Sequence, residues 1–97
     1  MAYDQAAKAD AGKPQLTLIP MQIFYDIAEV RAYGNKKYGS SDNWKTVSVE
    51  RYINALFRHL LAFVEDNNSV DEESELHHYK HIACNVAFIC ALMRKKE

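Results

Sequence analysis

Glycine and proline are scarce in this chain, with three and two among 97 residues. An all-β sandwich built on frequent tight turns draws on both, so that class is excluded. Basic residues are in no excess either. Twelve Lys and Arg stand against 13 Asp and Glu, a net charge of −1. Sequence-independent nucleic-acid binding works by neutralising phosphates with surplus cations, so no nucleic-acid partner is expected. No stretch reaches the roughly 18 apolar residues of a membrane span, and the most apolar one, Ile82 to Met93, is interrupted by Asn85. No membrane role is expected. Met1 to Gly12 lacks the basic-then-apolar layout of a secretory signal. Cysteine is limited to Cys84 and Cys90. On one helix their spacing amounts to roughly 9 Å of rise and puts them on different faces, beyond disulfide reach. They read as two buried apolar thiols, which fits a reducing cytoplasm.

What remains is ordinary globular material, 48% apolar and 26% charged. The length suits one domain with a small core, and self-association is a common supplement to such a core. Residues 1–12 show no apolar period and read as a flexible leader. Residues 13–97 read as a single all-α domain. Lys13 to Pro20 is short, partly apolar and bracketed by prolines, which suggests an extended arm packed onto the body. Pro20 suits the opening of a helix, where its missing N–H costs nothing. Ile23, Ile27 and Val30 repeat at helical spacing beside Phe24, so a first helix is expected over about Met21 to Ala32, with Gly34 as its stop. A long loop over 34–47 follows, and long loops in small domains are often functional. Ser48 and Glu50 suit the start of a second helix. Its apolar face is Ile53, Leu56, Phe57, Leu60, Leu61 and Val64, ending near Glu65. A third helix has competing starts at Ser69, Asp71 and Ser74 and runs through Met93. Three short helices expose more apolar surface than they can cover, so a helical dimer or tetramer is expected.

The polar residues of the second half carry the chemistry. His78, His81 and Asn85 share a helical face, but so do His77, His81 and Cys84. Imidazole combined with a carboxylate from Asp71, Glu72 or Glu73 suits a divalent transition ion such as Mn²⁺ or Zn²⁺. Solvated histidines beside an acidic helix start are the plainer alternative. On the second helix, Arg51, Ala55, Arg58 and Ala62 form an open basic strip with His59 beside it. An arginine fork holds phosphate bidentately, whereas a salt-bridged surface with Glu65 or Glu75 would hold nothing. The loop offers Lys36, Lys37, Tyr38, Asn43 and Trp44. Its rings can stack on a purine with the lysines near its phosphates, or Trp44 can simply plug the loop onto the core. Gly12-Lys13 has neither the upstream glycine nor the following hydroxyl residue of a phosphate loop. No nucleophile elbow and no Cys-x-x-Cys pair occurs.

In order, Gly12-Lys13, Leu18-Ile19-Pro20, Tyr33-Gly34-x-x-Lys37-Tyr38-Gly39, Asn43-Trp44, Arg51-Tyr52, Arg58-His59-Leu60 and Glu73-Ser74-x-Leu76-x-His78-x-x-His81-x-x-x-Asn85 resemble a phage family. It is the dATP/dGTP diphosphohydrolase N-terminal domain, described as MazG-like. The resemblance covers Gly12 to about Leu92. It implies an all-α enzyme cutting a purine (d)NTP into monophosphate and pyrophosphate in the host cytoplasm, with Mg²⁺ or Mn²⁺ bridging the phosphates. By motif position it implies Glu73, His81 and His59 as catalytic residues. Glu73, His78 and His81 would be metal ligands, and Lys13, Lys37, Tyr38, Asn43, Trp44, Arg51, Arg58 and Asn85 would contact the nucleotide. One departure stands out. MazG-type enzymes carry four carboxylates in paired Glu-x-x-Glu and Glu-x-x-Asp motifs. Here only Glu72 and Glu75 show that spacing, and the second motif is His-x-x-His-x-x-x-Asn. A non-hydrolytic nucleotide-binding protein, sequestering a defence signal of the cyclic-nucleotide or ADP-ribose type, is therefore the alternative.

Overall fold

The computed structural model describes residues 7–95, with the Lys95 side chain excluded. Part of the expected leader, residues 1–6, lies outside them, and residues 7–10 are helical and exposed. Three long helices follow: α1 over Gln22–Tyr38, α2 over Val49–Glu65 and α3 over His78–Lys95. Among the described residues there is no strand, only an isolated antiparallel bridge between Val70 and His77. No helix searched is long and apolar enough to cross a membrane.

α1 runs past the expected stop. Gly34 lies within it, because one glycine costs a helix only about 1 kcal/mol and the residues around it carry no second breaker. The true stop is Gly39. It adopts the left-handed conformation at φ 66° and donates its N–H to the Asn35 carbonyl at 2.9 Å, an arrangement that favours glycine. Lys36 and Lys37 occupy the last turn, where positive charge complements the exposed carbonyls. Lys37 and Tyr38 are thus helical rather than part of a loop. Ser48 does precede α2 in extended conformation, but its hydroxyl makes no capping bond.

α3 begins later than any of the three expected starts. Residues 66–77 form a knotted turn instead. Asp71 accepts the Ser74 N–H on Oδ2 at 2.9 Å, and its own N–H donates to the Leu76 carbonyl at 2.8 Å. Asx bonds of this kind compete with helix formation. Glu75 is held at φ 62°, a conformation unfavourable for a side chain with a Cβ. The acidic residues 71–75 therefore sit on a turn ahead of the helix.

The arm departs from expectation too. Leu16–Leu18 make a 3₁₀ turn, and Leu16 and Leu18 are 69% and 77% exposed, so the arm is not packed onto the body of this subunit. Of the two thiols expected to be buried, Cys84 is and Cys90 is exposed.

α3 packs against both α1 and α2. Few apolar side chains are fully enclosed: Cys84 and Leu92 are buried, alongside the polar Asp26, His81 and Asn85. α2 accounts for the shortage. Its Ile53, Phe57, Leu60, Leu61 and Val64 point outward and are exposed, while Tyr52, Ala55 and His59 turn inward. The radius of gyration is 17.1 Å, against roughly 12–13 Å for a compact chain of this length.

The left-handed residues Gly39 and Glu75 make opposite predictions. Gly39→Ala should lower stability by about 1 kcal/mol, and Glu75→Gly should leave it unchanged or raise it by a similar amount. Thermal melts of both variants check this. A Gly39→Ala protein as stable as the parent contradicts the assigned cap.

Candidate functional site

A cavity of about 430 Å³ opens between α1, α3 and α2, closed at one end by the 66–77 turn and at the other by the short segment joining α1 to α2. The joining segment is pinned from three sides. Arg31 on α1 donates to the Ser41 carbonyl at 2.5 Å, and the Tyr52 hydroxyl on α2 donates to the Trp44 carbonyl at 2.9 Å. Trp44 itself stacks on Phe88 of α3, with ring centroids 5.1 Å apart and an interplanar angle of 17°. Trp44 thus plugs the segment onto α3 while its indole still lines the cavity.

The cavity wall is polar and positively biased. Arg31, Lys37, Arg51 and Arg58 line it, against only two carboxylates, Asp71 and Glu73. Four of the chain's 12 Lys and Arg are here, against two of its 13 Asp and Glu. The basic strip of α2 faces inward because the helix presents its apolar side outward. Glu73 is engaged by Lys37 in an ion pair. The Lys37 ammonium, and next the Tyr33 hydroxyl, hold the Glu73 carboxyl below its ordinary range. Burial, and then the bond to Glu73, push the Tyr33 hydroxyl up. Tyr33, Tyr38, Trp44, Tyr52 and Phe88 give the wall an aromatic side.

The end near the turn is built from three histidines. His59 of α2 stacks on His81 of α3, with centroids 4.4 Å apart and planes within 6°. The His81 Nε2 shares a 2.7 Å hydrogen bond with the Ser74 hydroxyl. Asp71 Oδ2 lies 3.9 Å from the same nitrogen. Nδ1 of His59 faces Nδ1 of His78 at 2.8 Å. Burial, reinforced by His81, drives the His59 pKa down from 6.5 to about 4. Burial also lowers that of His81. Both rings are therefore neutral near pH 7. Burial raises the Asp71 pKa, but the Ser74 hydrogen bonds and the nearby histidines together outweigh it and leave the carboxyl below its ordinary value. His59, Asp71 and His78 each offer one ligand atom, all within 4.8 Å of one another. Two imidazoles and a carboxylate fit a divalent ion.

Most residues singled out in the sequence come together here. Lys37, Tyr38, Asn43, Trp44, Arg51, Arg58, His59, Glu73, His81 and Asn85 all line the cavity. Asn85 is buried, its amide donating to the His81 carbonyl at 2.9 Å. Lys13 does not line the cavity and is exposed on the arm. Of the expected metal trio, Glu73 is tied to Lys37, and His81 is bonded to Ser74. Only His78 belongs to the converging set, which gains His59 and Asp71. The sequence did not single out Arg31 or Phe88, and it gave Tyr33 and Tyr52 no role beyond their place in the family motifs, yet all four line the cavity. Arg31 shares a helical stripe with Gly34 and Tyr38, and Tyr33 shares one with Lys37, patterns interrupted by placing the helix end at Gly34.

A sequence model of the family "dATP/dGTP diphosphohydrolase, N-terminal" matches residues 3–97. The chain belongs to this family. It is also 38% identical, over 89 residues, to a dATP/dGTP diphosphohydrolase of Salmonella phage PMBT28, covering 92% of this chain. The chain spans only 30% of that relative's length. No solved structure matches.

The histidines give a pH prediction for the metal-free protein. The folded-state pKa of His59 lies below its unfolded value of 6.5, so the unfolded chain takes up the proton first as pH falls. Stability should fall between about pH 6.5 and 4 and gain no further loss from this group below that. In chelated buffer His59→Gln should flatten that part of the profile. An unchanged slope in the variant contradicts the burial assigned to the ring.

Proposed function

We propose that the cavity binds a purine deoxynucleoside triphosphate and supports its hydrolysis to the monophosphate and pyrophosphate. The observation that carries this is the four-to-two excess of cationic over carboxylate side chains lining a cavity that is also aromatic-walled. The family and the phage relative share this direction in their names. A triphosphate carries charge that Arg51 and Arg58 can meet with planar donor forks, and Lys37 with a point charge. Tyr38, 60% exposed, offers a ring face to the base.

In the proposed reaction water attacks the α-phosphorus and the bond to the β-phosphate oxygen breaks. His81, neutral through burial, is suited to accept the proton of that water, with Ser74 fixing its ring. Asp71 and His59 at the same end would hold a divalent ion, which supplies charge neutralisation and a more acidic water. Arg31 and Lys37 would stabilise the departing pyrophosphate. Glu73 orients Lys37 rather than acting as the base.

The test is turnover of dATP and dGTP with Mn²⁺ or Mg²⁺, read as monophosphate plus pyrophosphate. Arg58→Ala should raise KM, and His81→Ala should lower kcat by about 10²-fold or more. Turnover unaffected by His81→Ala contradicts its role. A second reading rests on the shortage of carboxylates, since Glu73 is already paired and Asp71 alone is left to the cavity. In that reading the cavity only sequesters a nucleotide. Ligand bound tightly and recovered intact after heat denaturation would favour it over hydrolysis.

The outward apolar face of α2 and the exposed Leu16, Leu18 and Phe24 fit coverage by a second copy of the chain. Light scattering should then give a multiple of 11.2 kDa, and a species of that mass alone overturns the assembly.

A further inference from the structure

We propose that His59, Asp71 and His78 form a three-ligand site for a first-row transition ion, Mn²⁺, Fe²⁺, Co²⁺ or Zn²⁺, that discriminates against Mg²⁺ and Ca²⁺. The inference rests on the reading above only in taking the open side of the ion as the side that meets phosphate; the site itself stands on its own geometry.

Three features support it. The first is convergence. The Nδ1 atoms of His59 and His78 face each other at 2.8 Å although they come from different helices, 19 residues apart. Two imidazoles bound to one ion at about 2.1 Å and at right angles lie ~3 Å apart. Without an ion one proton between the two nitrogens makes a hydrogen bond; to bind an ion the rings would turn so that both lone pairs converge on a point to one side of that line. Asp71 closes the triangle, with all three ligand atoms within 4.8 Å.

The second feature is support behind the ligands. Asp71 is held by the Ser74 N–H at 2.9 Å, and the Ser74 hydroxyl is bonded in turn to His81. His59 is fixed by its stack on His81. Ligands oriented by outer partners in this way bind metal more tightly than free side chains. The third is aspect. His59 and Asp71 line the cavity, whereas His78 does not. The ion would sit in the wall, backed by His78, with its remaining positions open toward the arginines and available to water or phosphate oxygens.

Ligand chemistry decides the class. Mg²⁺ and Ca²⁺ are hard ions that prefer all-oxygen sets, while imidazole binds first-row transition ions, Mn²⁺ the most weakly of them. Two nitrogens and one oxygen therefore select against the hard pair.

The experiment titrates the protein with Co²⁺ alone, with no nucleotide present. Visible d–d absorption and calorimetry report binding. One Co²⁺ per chain is expected, displaced by Zn²⁺ but not by millimolar Mg²⁺. His78→Ala should weaken binding by about 100-fold, with helix content by circular dichroism unchanged. If His78→Ala fails to fold, Asp71→Asn is the second variant and should show the same loss. Glu73→Gln should bind as the parent does. No stoichiometric Co²⁺ overturns the site, as does Co²⁺ lost in Glu73→Gln but retained in His78→Ala. Because no nucleotide is used, Co²⁺ binding without dATP turnover would defeat the hydrolytic reading while leaving this site intact, and turnover in the His78→Ala protein would do the reverse.

Discussion

The flat stack of His59 on His81 is the contact on which the site depends. It joins α2 to α3 at 4.4 Å between ring centroids. Through Ser74 it ties the 66–77 turn to α3, and through His78 it brings a third ring to the same point. Burial keeps both stacked rings neutral near pH 7, which is the form able to bind an ion or accept a proton. A domain with an apolar centre would need no such arrangement. Here the apolar Cys84 is buried between the polar His81 and Asn85, and all three line the cavity between the helices.

That arrangement follows from the orientation of α2. An amphipathic helix in a self-sufficient domain turns its apolar face inward. α2 does the opposite, exposing Phe57, Leu61 and Val64 and directing Arg51, Arg58 and His59 toward the cavity. The exposed apolar surface and the cationic lining of the cavity are two aspects of one rotation about the helix axis. The same rotation gives the helix two unlike sides, one exposed and apolar, the other cationic and facing the cavity.

Much of this was legible in the sequence, and the failures have local causes. The 3.6-residue pattern located all three helices, and the Arg51/Arg58 strip was visible as a strip. The end of α1 was misplaced because Gly34 was weighed as a stop, when a lone glycine is tolerated and Gly39 supplies the left-handed cap. That error placed Lys37 and Tyr38 on a loop instead of on the helix that carries Arg31 and Tyr33. The start of α3 was misplaced because the capping residues are real but cap nothing: Asp71 and Ser74 bond within their own turn. The pairing of His59 with His78 is a tertiary contact between α2 and α3, and no local spacing encodes it. Glu73 was read as a metal ligand and catalytic residue; its ion pair with Lys37 depends on the extra turns of α1 and could not be seen in the sequence.

The account holds that phosphates meet the arginines of α2 while an ion sits in the adjacent histidine wall. A crystal structure of the protein with a non-hydrolysable dATP analogue and Mn²⁺, using anomalous scattering to place the ion, tests both at once. The account predicts the triphosphate against Arg51 and Arg58 and an anomalous peak between His59, Asp71 and His78. Nucleotide bound outside the cavity, or an ion held by Glu73 away from His78, would contradict it.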